Sequence, residues 1–237
     1  ELKSDYAFAY NNRGNALKSK GNVEEAIRDY TKAIELKSDY AEAYNNRGIA
    51  FDSKGNVEEA IKDYTKAIEL KADYAEPYYN RGIVFKNNGN LEEAIKNYTK
   101  AIELKPDYAF AYNNRGNVFK RKGNLEEAIS DYTKAIELKP DYAFAYNNRG
   151  LVFEKKGNLE EAISDYTKAI ELKPDYAEAY YSRGIVFNSM GNLEEAIKDF
   201  TMAIGIKPQY GSKLDPIIKS LRASLDEVAA ERDEERD

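Results

Sequence analysis

The side chains best suited to do chemistry here are amides. Asn12, Asn46, Asn80, Asn114 and Asn148 each precede an Arg-Gly pair, and Ser182 stands at the sixth such place. A carboxamide offers a donor and an acceptor but no nucleophile. A row of them can hold the backbone of an extended peptide without reading its sequence. The arginines that follow (Arg13, Arg47, Arg81, Arg115, Arg149, Arg183) are matched farther along by Asp29, Asp63, Asp131, Asp165 and Asp199, with Asn97 replacing the carboxylate once. We expect Arg and Asp to pair between two helices, leaving Arg81 without that partner; the alternative is two independently solvated charges. There is no His and no Cys. A Ser-His or Cys-His nucleophile therefore cannot be built, and a zinc site lacks its commonest ligands. The carboxylates recur on solvated faces and no segment carries a unique constellation. No catalytic residue, metal or cofactor is expected, and the chain reads as a binder rather than an enzyme.

These residues are set out by an internal repeat. Tyr44-Asn45-Asn46-Arg47-Gly48 returns as Tyr112–Gly116 and Tyr146–Gly150, at multiples of 34 residues. The frame gives six units, 7–40, 41–74, 75–108, 109–142, 143–176 and 177–210. Residues 1–6 match the end of a unit and read as the remnant of a preceding repeat; 211–237 form a C-terminal segment. Each unit predicts two helices. In the second, Tyr44, Gly48 and Phe51 share one face of a first helix, and Gly55 ends it. Asn56 and Glu59 then suit a capping box for a second helix, whose apolar stripe is Val57, Ala60, Ile61, Tyr64, Ala67 and Ile68. Asp73 and Glu76 suit the next cap. Gly48 lies inside a helix, where Gly costs about 1 kcal/mol relative to Ala; it implies close approach of the second helix.

An aromatic, Gly, aromatic, Ala, aromatic, Ala and Pro at fixed offsets appear as Tyr112, Gly116, Phe119, Ala128, Tyr132, Ala135 and Pro140. The pattern over residues 7–210 resembles the tetratricopeptide repeat family. The resemblance implies an all-α, right-handed superhelical solenoid of six helix-turn-helix repeats, first helices lining the concave face. Ser38 and Ala72 replace the family's Pro and imply looser junctions, and Leu17 replaces an aromatic. Asp215-Pro216 suits the start of a capping helix with an apolar stripe of Ile218, Leu221, Leu225 and Val228, and the charged tail 231–237 reads as frayed or disordered. The first hairpin lacks such a cover, so end-to-end self-association is expected there. At the place of the asparagines, the array is similar to the repeat domain of O-linked N-acetylglucosamine transferase, where an Asn ladder holds substrate backbones. The Lys and Arg of the clamp with which some family members hold chaperone tails are absent.

On a helical wheel the ladder lies opposite the core, in a stripe with two variable positions. One of these is Phe8, Glu42, Glu76, Phe110, Phe144 and Glu178; the other is Asn15, Ile49, Ile83, Asn117, Leu151 and Ile185. Phe110, Phe144 and Leu151 suggest an apolar groove floor, and Lys86, Lys120, Arg121 and Lys155 a basic rim. The expected ligand is a protein or peptide with apolar anchors and acidic character. The competing readings are that each Phe packs on a neighbouring hairpin and that duplication merely copied a solvated Asn. A formal net charge of −6 with both signs mixed gives no footprint for nucleic acid. No run approaches the roughly 18 apolar residues of a membrane span. A cytoplasmic location is the default expectation. Two other functions fit the same pattern: the substrate-targeting part of a larger enzyme such as a glycosyltransferase, and a self-assembling structural solenoid.

Overall fold

The computed structural model describes the backbone of residues 2–234 and the side chains of 6–227 and 230; all of it is helix or turn. It divides into two compact units, Glu1–Gly123 and Asn124–Asp237. The first holds the pairs α1 (Leu2–Ser19) with α2 (Val23–Leu36), α3 (Ala41–Ser53) with α4 (Val57–Leu70) and α5 (Ala75–Asn87) with α6 (Leu91–Leu104), followed by α7 (Ala109–Lys122). The second opens with α8 (Leu125–Leu138). It continues with the pairs α9 (Ala143–Lys156) with α10 (Leu159–Leu172) and α11 (Ala177–Ser189) with α12 (Leu193–Ile206), a 3-10 turn at Pro208–Tyr210, and α13 (Gly211–Glu234). Residues Leu2–Tyr6 continue α1, whereas the same kind of segment closes a hairpin at Lys37–Tyr40. Surroundings, not propensity, choose between the two.

Each pair is held by a small-to-large contact. A Cβ built on Gly48 would lie 2.7 Å from Cε1 of Tyr64, and on Gly150 2.8 Å from Cε1 of Tyr166. The missing side chain lets the ring of the second helix seat fully, and Tyr64 and Tyr166 are buried with Ala60, Ala67, Ala162 and Ala169. The first helices stop where Gly55 and Gly157 turn to φ of 78° and 82°, a conformation that costs Gly nothing.

The expected side-chain caps are corrected. Asn56 is the N-cap of α4 by position, but its side chain makes no cap hydrogen bond; among the described second helices only Asn90 accepts from its N3 amide, Glu93 N, at 3.3 Å. The Gly turn already directs the chain, and the Asn56 carbonyl accepts from Ala60 N at 3.0 Å. Asp73 does not cap α5 either: the N-cap is Tyr74, whose amide closes a turn on the Lys71 carbonyl at 3.1 Å. That turn is within 0.1 Å of its counterpart after Pro106, where Tyr108 N reaches the Lys105 carbonyl at 3.1 Å, so Ala72 holds the same geometry without Pro. Nor does α13 begin at Asp215-Pro216. It begins at Gly211 with Pro216 inside it, because Leu214 is fully buried against Phe200 and Ala203 and draws the preceding turn into the helix. Ile218 and Leu221 join that cluster as expected; Val228 lies outside the described side chains, and of the charged tail the backbone is described as helix only to Glu234.

Candidate functional site

Within each unit the first helices touch one another in order: α1, α3, α5 and α7 in one, α9 and α11 in the other. The second helices of a unit do not touch each other. Each unit therefore presents a face built only of first helices, and the asparagines stand on it. Three of their donors are already used. Asn46 Nδ2 donates to Asn11 Oδ1 and Asn80 Nδ2 to Asn45 Oδ1, both at 3.0 Å, and Asn114 Nδ2 donates to the Tyr79 hydroxyl at 2.9 Å. The ladder is thus a set of ties between successive hairpins. The acceptors Asn11 and Asn45 are buried. Sequence reasoning missed them, although the doubled Asn at 11–12 and 45–46 signalled a second, inward amide. Asn12 is exposed; the Oδ1 atoms of Asn46 and Asn80 have no protein donor among the described residues and remain open to a ligand N–H.

In the second unit the ladder meets Ser182. The shorter side chain leaves Asn147 Oδ1 buried with no hydrogen-bond partner, the acceptor that Asn11 and Asn45 offer to Asn46 and Asn80. Asn148 lies beside it on α9, half-buried and engaged.

The basic residues gather at one end of the first unit's face. Lys86 Nζ donates to Asn114 Oδ1 at 3.3 Å, and Arg121 donates from Nη1 to the Lys86 carbonyl at 3.1 Å. Burial, and then the neighbouring Arg121, pull the Lys86 ammonium below its usual range; burial alone does the same at Lys120. Neither Lys86, Lys120 nor Arg121 has an ion-pair partner among the described residues. Most other lysines of this unit do: Lys54 pairs with Glu24, Lys71 with Glu42 and Lys105 with Glu76. Lys155, in the second unit, is exposed.

The apolar candidates divide. Phe144 is 45% exposed, yet its ring meets Tyr176 edge-on at 5.1 Å and lies under Lys173 Nζ at 4.7 Å. Phe8 repeats this with Tyr40 at 4.9 Å and Lys37 at 4.8 Å. Where Glu replaces Phe, the same Lys makes an ion pair, as Glu42 does with Lys71 at 3.5 Å. The position is thus fastened to the turn that closes its own hairpin. Phe110 is 44% exposed and belongs to the first unit. Leu151 packs against the buried cluster of Ala162, Tyr166 and Val186, so it serves the contact between hairpins as well as the face. The expected interhelical pairs form: Arg47 grips Asp63 through Nε and Nη2 at 2.7 and 2.9 Å, and Arg13, Arg149 and Arg183 hold Asp29, Asp165 and Asp199 likewise. No group of His, Cys, Asp or Glu among the described residues could hold a metal, and no described helix is long and apolar enough to cross a membrane.

Family models described as "TPR repeat" match residues 14–55, 53–89, 87–123, 116–157 and 155–191, and one described as "Tetratricopeptide repeat" matches 177–210. A search of the curated proteins finds no match. Among solved structures the chain is similar to YrrB, described as a TPR protein with an unusual peptide-binding site, at 28% identity and TM-score 0.63 over 76% of this chain and 92% of that one. It is similar to MamA at 32% identity and TM-score 0.63, over 70% and 96% respectively. The likeness to PilF of Pseudomonas aeruginosa, at TM-score 0.79 and 18% identity over 88% and 95%, is one of fold alone.

Proposed function

Since the chain belongs to the tetratricopeptide repeat family, we propose that it is a protein-interaction scaffold whose first-helix face holds an extended, acidic peptide. The observation that carries this is the group Lys86, Lys120 and Arg121: three cations gathered without a carboxylate, two of them half-buried, in a unit where Lys54, Lys71, Lys105 and Lys122 are paired. Charges held in that state favour an anionic partner that arrives from outside. The open acceptors of Asn46 and Asn80 lie along the same unit and suit the amide hydrogens of an extended backbone. The similar YrrB, whose description names a peptide-binding site, supports the same class of ligand. In the second unit Phe144 and Leu151 offer apolar anchors and Lys155 a further cation. Binding, not catalysis, is the role proposed, since the chain holds neither His nor Cys.

Selection from a random displayed-peptide library on the purified chain tests the reading. Enriched sequences should carry Asp or Glu, and their affinity should fall about tenfold or more in Lys86→Glu/Arg121→Glu, equivalent to about 1.4 kcal/mol. Enrichment of basic or uncharged peptides, or unchanged affinity in the variant, would sink it.

A further inference from the structure

One half-buried arginine lacks what its counterparts have. Arg81 donates Nε–H to Asn97 Oδ1 at 2.9 Å and Nη1–H to Thr65 Oγ1 at 2.8 Å. Asn97 spends its own Nδ2 on the Glu93 carbonyl at 2.8 Å. In the preceding hairpin the equivalent Nη2 of Arg47 reaches Asp63 Oδ1 at 2.9 Å. The Nη2 of Arg81 meets no protein acceptor among the described residues, and it is not among the atoms sealed from solvent. Burial holds this guanidinium below its usual range, whereas the hydrogen bond that Arg149 donates to Asp165 outweighs burial and raises Arg149.

The surroundings suit a ligand. Beside Arg47, an open cleft of about 530 Å³ is lined by Tyr44, Lys62, Asp63, Thr65, Lys66 and Glu69. The corresponding residues around Arg81 are Tyr78, Lys96, Asn97, Thr99 and Lys100. Every cation is kept, Glu103 stands where Glu69 does, and the carboxylate of Asp63 is lost. Lys96 and Lys100 are held by Glu93 and Glu103 on their own helix, at 2.6 and 3.1 Å, and Arg81 hydrogen-bonds neither carboxylate; Glu93 acts on it only through its charge. A guanidinium edge with one free N–H pair is a specific donor for an oxyanion.

We propose that Arg81 is an oxyanion-binding site, in which a carboxylate or phosphate from outside the chain takes the place that Asp holds in the other hairpins. It stands apart from the peptide-binding reading, since it lies where Arg81 of α5 meets Asn97 of α6 and uses none of the residues Lys86, Lys120 or Arg121. The test follows the Nε–H resonance of Arg81 in the full chain while inorganic phosphate, or separately N-acetylaspartate, is added at constant ionic strength set with chloride. The expected result is a saturable shift in the wild type that is lost in Asn97→Asp, with a new saturable shift at Arg47 in Asp63→Asn. Saturation by phosphate alone assigns the site to phosphoryl ligands; saturation by N-acetylaspartate assigns it to acidic side chains. Asn97→Asp restores the residue carried by the other hairpins, so its fold is secure. A shift that never saturates with either anion, or one that persists in Asn97→Asp, overturns the proposal.

Discussion

At the scale of single residues, the asparagines have two duties. The amide hydrogens of Asn46, Asn80 and Asn114 tie a first helix to the one before it, and the carbonyl oxygens of Asn46 and Asn80 have no protein donor among the described residues. Where the tie is missing the cost is visible: Ser182 leaves Asn147 Oδ1 buried and unpaired. A buried polar atom without a partner costs about 1–3 kcal/mol. Ser182→Asn should therefore stabilise the protein by about 1 kcal/mol, seen as a rise of roughly 2–4 °C in Tm for a chain of this size. A lower Tm would mean that Asn cannot reach across at this junction, or that the bond from the Ser182 hydroxyl to Tyr166 matters more.

At the scale of elements, helix propensity and packing pull in opposite directions at the mid-helix glycines. Gly→Ala in a helix interior stabilises by about 1 kcal/mol when nothing is in the way. At Gly48 the new methyl would sit 2.7 Å from Tyr64 Cε1 and 2.9 Å from Cδ1, ring atoms of a buried side chain. Overpacking of this kind costs about 1–3 kcal/mol, so packing wins and Gly48→Ala should lower Tm with helical content retained. Tyr64→Phe should not rescue it, because the crowded atoms are ring carbons, not the hydroxyl. Thermal melts of the single and double variants check both statements; a higher Tm for Gly48→Ala would show that the ring yields.

At the scale of the whole molecule, the tyrosines make stability depend on alkaline pH. Burial raises Tyr30 and Tyr74 from 10.0 to about 12, and it raises Tyr64, Tyr98, Tyr108, Tyr166 and Tyr176 further still. A phenol whose folded pKa lies above its unfolded value contributes stability that is complete below the unfolded pKa and lost as pH rises towards the folded one. The fold should therefore lose stability from pH 10 upward, steeply because many sites act together, and be unfolded near pH 12. Tyrosinate absorbance followed beside circular dichroism should show the buried phenols ionising together with the loss of helix. Full ionisation with helix intact would contradict the burial described here.

The sequence by itself determined the helical hairpins, their 34-residue frame and the Arg–Asp pairs. These follow from periodicity, from small residues facing large ones and from charges set at one repeated offset, all local or repeated sixfold. It also marked Asn97 as the exception. Only the tertiary structure decided how the ladder's donors are spent, because whether an Asn on a helix surface faces solvent or the next hairpin depends on stacking, which leaves no trace in a helical wheel. The same holds for the variable aromatic position, where Phe8 and Phe144 turn back onto a Lys and a Tyr about thirty residues away. The start of α13 was set by burial of Leu214, which outweighed the Pro that otherwise marks a helix beginning. Local pattern names the elements; the contacts between them, formed at long sequence separation, choose which atoms of the candidate site remain free.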